Sequence, residues 1–128
     1  MPKACDTVWL NMSGEGEHLW LVLCDPEPDG SVIFVNFTDH RNVPRPHVDI
    51  PLGTHLLVSG WATTIRTTLF TQGAMVLDAG IVDRFLADGR APGELLPEWL
   101  PKMRKAMYKC SACGGDVMSI LTRHLGKW

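Results

Sequence analysis

Two apolar runs on either side of a short turn constrain the fold of this chain most strongly. Residues 18–24 (HLWLVLC) and 31–38 (SVIFVNFT) are rich in large apolar side chains that are compatible with extended strands. Residues 25–30 (DPEPDG) end the first run, because the two prolines remove hydrogen-bond donors and Asp-Gly favours a tight turn. The pattern predicts an antiparallel hairpin. The first run does not alternate strictly, which is typical of a strand covered on both faces.

Several shorter runs with the same preferences surround this hairpin. The threonines of residues 62–70 suit a pleated surface and predict an exposed sheet face. Gly53 and Gly60 mark turns between neighbouring runs. Short strands with frequent turns are typical of a small barrel or sandwich. The predicted strands, in addition to the hairpin, are 7–10, 47–51, 56–59, 62–70 and 75–77.

The last third of the chain has helical character instead. Apolar residues recur at helical spacing, and Gly89 is predicted to end the first helix while Pro97 suits a first turn. The predicted helices are 81–88, 102–109 and 116–124, with a helical turn at Pro97.

Length limits how these elements are organised. A chain of 128 residues is long enough for one compact domain and too short for two ordinary ones. We therefore predict a mainly β (α+β) fold in a single domain, residues 1–128. Residues 1–77 form its β-barrel core, and residues 78–128 form its helical C-terminal part.

Charge is distributed unevenly along the chain. The formal net charge is −2 at pH 7, which provides no global attraction for nucleic acid. The segment from Lys102 onward is nevertheless basic, which fits either a solvated helix face or a contact with RNA or a protein partner. Its charged residues are Lys102, Arg104, Lys105, Lys109, Arg123 and Lys127, against the single acid Asp116.

The sequence also carries an expectation about location. No apolar run approaches the ~20 residues of a membrane helix. The N-terminal residues lack the basic start and continuous apolar segment of a secretory signal. We therefore expect a cytoplasmic protein without membrane contact.

The four cysteines are too few and too unevenly spaced for a secreted disulfide framework, so reduced thiols are expected. Cys110 and Cys113 form half of a zinc or redox motif, but the second pair of a zinc signature is missing. Cys24 is either a thiol nucleophile or a packed, inert side chain. The histidines lack the close helical spacing of a metal motif, and no metal or other cofactor is predicted.

The sequence HLWLVLCDP, the run VIFVNFTD, the GTH turn and the WATT segment together resemble small bacterial proteins related to the MazF/PemK-like toxins. The resemblance covers roughly residues 14–70. It implies a compact SH3-like β-barrel with helices, metal-independent cleavage of RNA, a cognate antitoxin protein and a homodimer. It places His18 near the basic loop position, Cys24 at the serine that closes the first strand, and Thr38 at the hydroxyl of the next strand.

The chain departs from that family at two points. The toxins usually have Arg followed by Pro at the junction where this chain has His18 and Leu19. Their basic overall charge is also absent. An arginine-based mechanism therefore does not transfer to this sequence.

The residues themselves offer an alternative chemistry. Histidine titrates near neutrality, so His18 and His55 are predicted as general acid and base, in either assignment. In a hairpin the start of one strand lies beside the end of the next, so Thr38 should neighbour His18, with Asn36 on the same face. Thr38 and Asn36 are predicted to donate to phosphate. Arg41 or Arg45 is predicted to neutralise the negative charge of the phosphate.

Two functions remain open from the sequence. The first is a toxin–antitoxin endoribonuclease for single-stranded RNA. The second is a noncatalytic SH3-like module that binds a protein or nucleic acid through an edge strand or groove. His40 and His47 are expected to be solvated loop residues. Trp20, Trp61 and Trp99 are expected either to stack on bases or to pack internally.

Overall fold

The computed structural model describes residues 1–12, 14 and 16–128. Within them the chain forms a five-stranded antiparallel sheet followed by three α-helices, which confirms the predicted α+β fold. The strands are β1 (Thr7–Leu10), β2 (His18–Val22), β3 (Ser31–Asp39), β4 (Thr67–Leu69) and β5 (Met75–Asp78), and the helices are α1 (Ala79–Asp88), α2 (Leu100–Tyr108) and α3 (Gly115–Arg123).

Strand β3 is the centre of the sheet. One edge pairs with β2, with Trp20 opposite Asn36, and β2 pairs in turn with β1. The other edge pairs with β5 along its first half and with β4 along its second half. One 3-10 turn, Thr71–Gly73, separates these two partners. The predicted hairpin of β2 and β3 is thus confirmed.

The sheet is not closed into a barrel. Among the described strands, β1 and β4 lie at opposite ends of the hydrogen-bonded path and do not pair with each other. The outer edge of β1 makes a single bridge, from Trp9 to Arg90, at the residues that follow α1. The predicted SH3-like arrangement is therefore present as an open sheet.

The two faces of the sheet carry separate apolar clusters. On one face, Trp20 and Phe34 stack with ring centroids 4.9 Å apart, and α1 covers them through Val82 and Phe85. On the other face, a larger cluster is covered by α2, α3 and the 48–57 segment. Because both faces are covered, β2 is apolar at nearly every position, as its sequence indicates.

Residues 52–66 differ most from the prediction. The predicted strands 56–59 and 62–70 reduce to isolated bridges and the three-residue strand β4. Thr63 explains part of this, because its hydroxyl accepts from Thr54 N at 3.0 Å and donates to Pro51 O at 2.8 Å. These side-chain bonds, together with the backbone bonds of Thr63 to Gly53 and Thr54, hold the 51–54 turn against Thr63. Thr63, Thr67 and Thr68 are buried, so the predicted exposed threonine face is wrong.

The helices end close to the predicted residues. Asp78 caps α1 by accepting from Gly80 N at 2.8 Å, and Gly89 follows its last residue. Pro97 begins a 3-10 turn that leads into α2. With ten residues at most, no helix in the described chain has the length and apolar character needed to cross a bilayer.

Cys110 and Cys113, between α2 and α3, are joined by a disulfide bond. The expectation of reduced thiols is therefore wrong for this pair, and its sulfurs are not free to bind zinc. Cys5 and Cys24 are free and buried. Burial raises the pKa of the Cys24 thiol, which disfavours the thiolate that a nucleophile requires. The geometry favours a packed, inert Cys24.

Candidate functional site

The polar side chains of the hairpin gather at one end of the sheet. His18 begins β2, and Thr38 lies near the end of β3, with Asn36 two residues before it on the same face. The apolar residues of this face lie towards the other end, under α1. His18, Asn36 and Thr38 line one common cavity, and this is the proximity that the hairpin predicts.

Two adjoining cavities open at this end of the sheet. The larger has a volume of about 600 Å³ and the smaller about 250 Å³. Three residues, His18, Thr38 and Asn42, line both of them. These three side chains therefore stand where the two cavities meet, and we refer to the two cavities together as the cleft.

The larger cavity has a polar wall and an aromatic wall. Asn36 is only 6% exposed, and Trp20 is 5% exposed. Among the described residues, the indole N–H of Trp20 has no hydrogen-bond partner. Phe70 and Met75 complete the apolar side of this cavity.

The smaller cavity is mainly apolar. Trp9 and Trp61 meet edge to face, with ring centroids 5.5 Å apart. Leu19, Phe37 and Leu56 extend this wall. Flat aromatic surfaces of this kind accept either nucleobases or apolar side chains.

Hydrogen bonds fix how the polar groups face the cleft. His18 Nδ1 lies 3.2 Å from the carbonyl oxygen of Phe37. A carbonyl only accepts, so Nδ1 carries the proton, and in the neutral ring Nε2 is the basic nitrogen. Asn42 Nδ2 donates to Thr38 Oγ1 at 3.1 Å, which leaves the Thr38 hydroxyl proton available to another acceptor. Asn36 Nδ2 donates to Phe37 O at 3.2 Å.

Two carboxylates line the smaller cavity. Glu17 pairs with Arg90 at 3.0 Å. Asp39 accepts from Arg41 Nη2 at 2.7 Å and from the Arg41 backbone N–H at 2.9 Å. These bonds hold the pKa of Asp39 below its ordinary value, so its carboxylate is ionised at neutral pH.

The predicted cations lie outside both cavities. Arg41 is highly exposed and is bound to Asp39. Arg45 is exposed and lines neither cavity. His55 is also exposed, forms a bridge with Ala62 and lines neither cavity. Of the predicted site residues, the structure brings together His18, Asn36 and Thr38.

Several residues that line the cleft are not predicted from the sequence. Asn42 is the most informative, because it lies in the 3-10 turn His40–Asn42 and folds back onto Thr38. The signal was the capping residue Asp39, which predicts a tight turn directly after β3. In the described chain, no three His, Cys, Asp or Glu residues group in a way that could hold a metal ion.

Comparison with known proteins identifies the fold. No family model and no curated protein matches the sequence. Among solved structures, the chain is similar to a chain of the MazE–MazF complex (Form-II) from Deinococcus radiodurans. The two are 22% identical, the match covers 88% of this chain and 97% of the other, and the TM-score is 0.51. The likeness shows a shared fold.

Proposed function

We propose that this protein is the toxin of a toxin–antitoxin pair and cleaves single-stranded RNA in the cleft without a metal. The observation that carries the proposal is the meeting of His18, Thr38 and Asn42 at the junction of two open cavities. The shared fold and the MazF/PemK-like sequence pattern support the toxin class. Location in the cytoplasm, where RNA is accessible, belongs to the same proposal.

In the proposed reaction, His18 is the general base. Its Nδ1 is occupied by the Phe37 carbonyl, so Nε2 takes the proton of the RNA 2′-hydroxyl. The 2′-oxygen attacks phosphorus, the bond from phosphorus to the 5′-oxygen breaks, and that oxygen takes a proton from water. The products are a 2′,3′-cyclic phosphate and a 5′-hydroxyl.

The Thr38 hydroxyl stabilises the phosphorane by donating to a phosphate oxygen. Asn42 supports this role, because its N–H occupies a Thr38 lone pair and so directs the hydroxyl proton away from itself. Asn36, which lines the larger cavity, donates with its remaining amide N–H. Neutral donors replace the arginine of the related toxins in this proposal.

The aromatic walls provide the binding surface for bases. Trp9 and Trp61 stack a base on one side of the junction, and Phe70 receives the neighbouring nucleotide on the other. Every base has a face that can stack on an aromatic ring, so stacking depends little on the RNA sequence. We therefore propose broad specificity. An antitoxin protein inhibits by filling this cleft, and the active unit is a homodimer.

The test compares two histidines in a cleavage assay with chelator present. We expect His18→Ala to lower cleavage of a labelled RNA by a factor of about 10² to 10⁴, the usual contribution of a general base. His55→Ala is the counterpart, since the sequence predicts it in the site and the structure places it outside. We expect it to keep wild-type cleavage. Intact RNA with wild-type protein, or equal losses in both variants, contradicts the proposal.

A second function is favoured by the composition of the smaller cavity. Its wall is mainly apolar, and its two described carboxylates, Glu17 and Asp39, repel phosphate. These properties suit an apolar protein segment with a basic residue at its edge. In this alternative the chain is a noncatalytic module that binds a protein partner. Binding of such a peptide by a wild-type chain that leaves RNA intact would establish it.

A further inference from the structure

A second groove lies beside α2, on the surface that the proposed chemistry does not use. It has a volume of about 290 Å³. We call it the lysine groove, because Lys102, Lys105 and Lys109 line it together with Trp99 and His47. The spacing of the lysines by three and four residues places them on one face of the helix.

The lysines of this groove are available to a ligand. All three are exposed, and none makes an ion pair with a described residue. The one carboxylate lining the groove, Asp49, is bound to Arg66 at 2.8 Å. In a chain with net charge −2, such a cluster is a local concentration of positive charge that attracts an anion.

The groove is connected to the cleft by a short series of contacts. Asp39 and Thr67 line the smaller cavity and pair with each other across β3 and β4. The next residues along, His40 and Arg66, share a backbone hydrogen bond of 2.9 Å. Arg66 then binds Asp49, which lines the groove. This series of contacts links residues that line the smaller cavity to Asp49, which lines the groove.

We infer that the lysine groove binds the phosphate backbone of a single-stranded RNA whose scissile end occupies the cleft. This inference rests on the proposed function for the direction of the strand. Single-stranded nucleic acid sites combine a row of cations with aromatic side chains. Here the Trp99 ring lines the groove, with Lys102 Nζ over it at 4.4 Å from the centroid, so a base that stacks on Trp99 displaces this lysine from the ring. An acidic peptide without apolar side chains has the charge to fill the groove but has no group that packs on the aromatic ring.

The experiment removes two charges from the groove and, as a control, two from elsewhere. The groove variant is Lys105→Ser with Lys109→Ser. The control is Arg84→Ser with Lys127→Ser, which has the same net charge and changes exposed residues that line none of the three cavities. Affinity is measured by anisotropy of fluorescein-labelled RNAs of about four and about sixteen nucleotides. The RNAs carry 2′-methoxy groups, which block cleavage, and salt is varied.

For the long RNA, we expect the groove variant to bind about tenfold more weakly and the salt slope to fall by about one to two units. The short RNA should bind both variants and the wild type alike, because it fills only the cleft. Equal weakening by the groove and control variants, or no weakening by either, overturns the inference. So does a polyglutamate peptide that binds the wild type more tightly than the long RNA does.

The outcome is separable from the proposed reaction. Cleavage of unmodified RNA is measured on the same preparations. A wild-type chain that binds the long RNA through the lysine groove but leaves RNA intact removes the reaction and retains the groove. If RNA is still cleaved but the groove variant binds the long RNA like the wild type, the proposed reaction is retained and the groove is rejected as a binding site.

Discussion

The two faces of the sheet consist of the same strands, but they carry different residues at the end where β2 begins and β3 ends. The face under α2 and α3 is apolar along the whole of β2 and β3, from Leu19 and Leu21 to Phe37. The face under α1 is apolar only as far as Trp20 and Phe34. Beyond them it continues with His18, Asn36 and Thr38, which line the larger cavity of the cleft.

This difference indicates which part of a small sheet is available for a binding site. A helix of ten residues is about 15 Å long, so α1 covers part of its face, and the end of β3 borders the cleft instead. Polar residues are tolerated at the uncovered end, because water or a ligand can satisfy them. The covered parts of both faces stabilise the fold. At the open end, Leu19 and Phe37 of one face and the polar residues of the other line the cleft.

Two neighbouring positions on one face of β3 test this division most severely. Phe34→Ala removes a fully buried ring between Trp20 and Phe85, so we expect a loss of about 3–5 kcal/mol in the free energy of unfolding. Asn36→Ala, two residues further along, should cost only about 1 kcal/mol. Urea unfolding measures both. Similar losses would mean that the cleft end is part of the core.

Much of this division could be predicted from the sequence, because it follows from local pattern. The two apolar runs and the turn between them specify the hairpin, and the hairpin alone brings Thr38 beside His18. The apolar spacing of α1 and α3, and the position of Gly89 after α1, are equally local. These features need no knowledge of distant parts of the chain.

Other features depend on contacts between distant segments. The position of His55 depends on the segment from Pro51 to Thr63, where the Thr63 hydroxyl bonds Pro51 and Thr54 in addition to the backbone pairing. The lysine groove requires α2 to lie against the 47–49 segment. None of these arrangements has a periodic signal in the sequence.

The carboxylate at the edge of the cleft permits a smaller change with a defined sign. In Asp39→Asn, the amide oxygen keeps the bond from the Arg41 backbone N–H, while the negative charge beside the smaller cavity is lost and Arg41 is released. We expect RNA to bind several-fold more tightly, with a steeper dependence on salt. Anisotropy with an uncleavable RNA measures it. Weaker binding would show that Asp39 contacts the ligand favourably.

The central claim is that the open end of the sheet is a binding cleft. Three of the five tryptophans lie in this cleft and can report on it directly. Trp9 and Trp61 line the smaller cavity, and Trp20 lines the larger one. Trp128 lies elsewhere, stacked on His124 with centroids 4.4 Å apart, and serves as the internal control.

The decisive measurement is a titration of the tryptophan indole N–H signals by ¹⁵N NMR, using a 2′-methoxy RNA of about four nucleotides. We expect the indole N–H signals of Trp9, Trp20 and Trp61 to shift together and to reach saturation, while the signal of Trp128 stays in place. Signals that stay unchanged at saturating RNA, or a shift confined to Trp128, would contradict it.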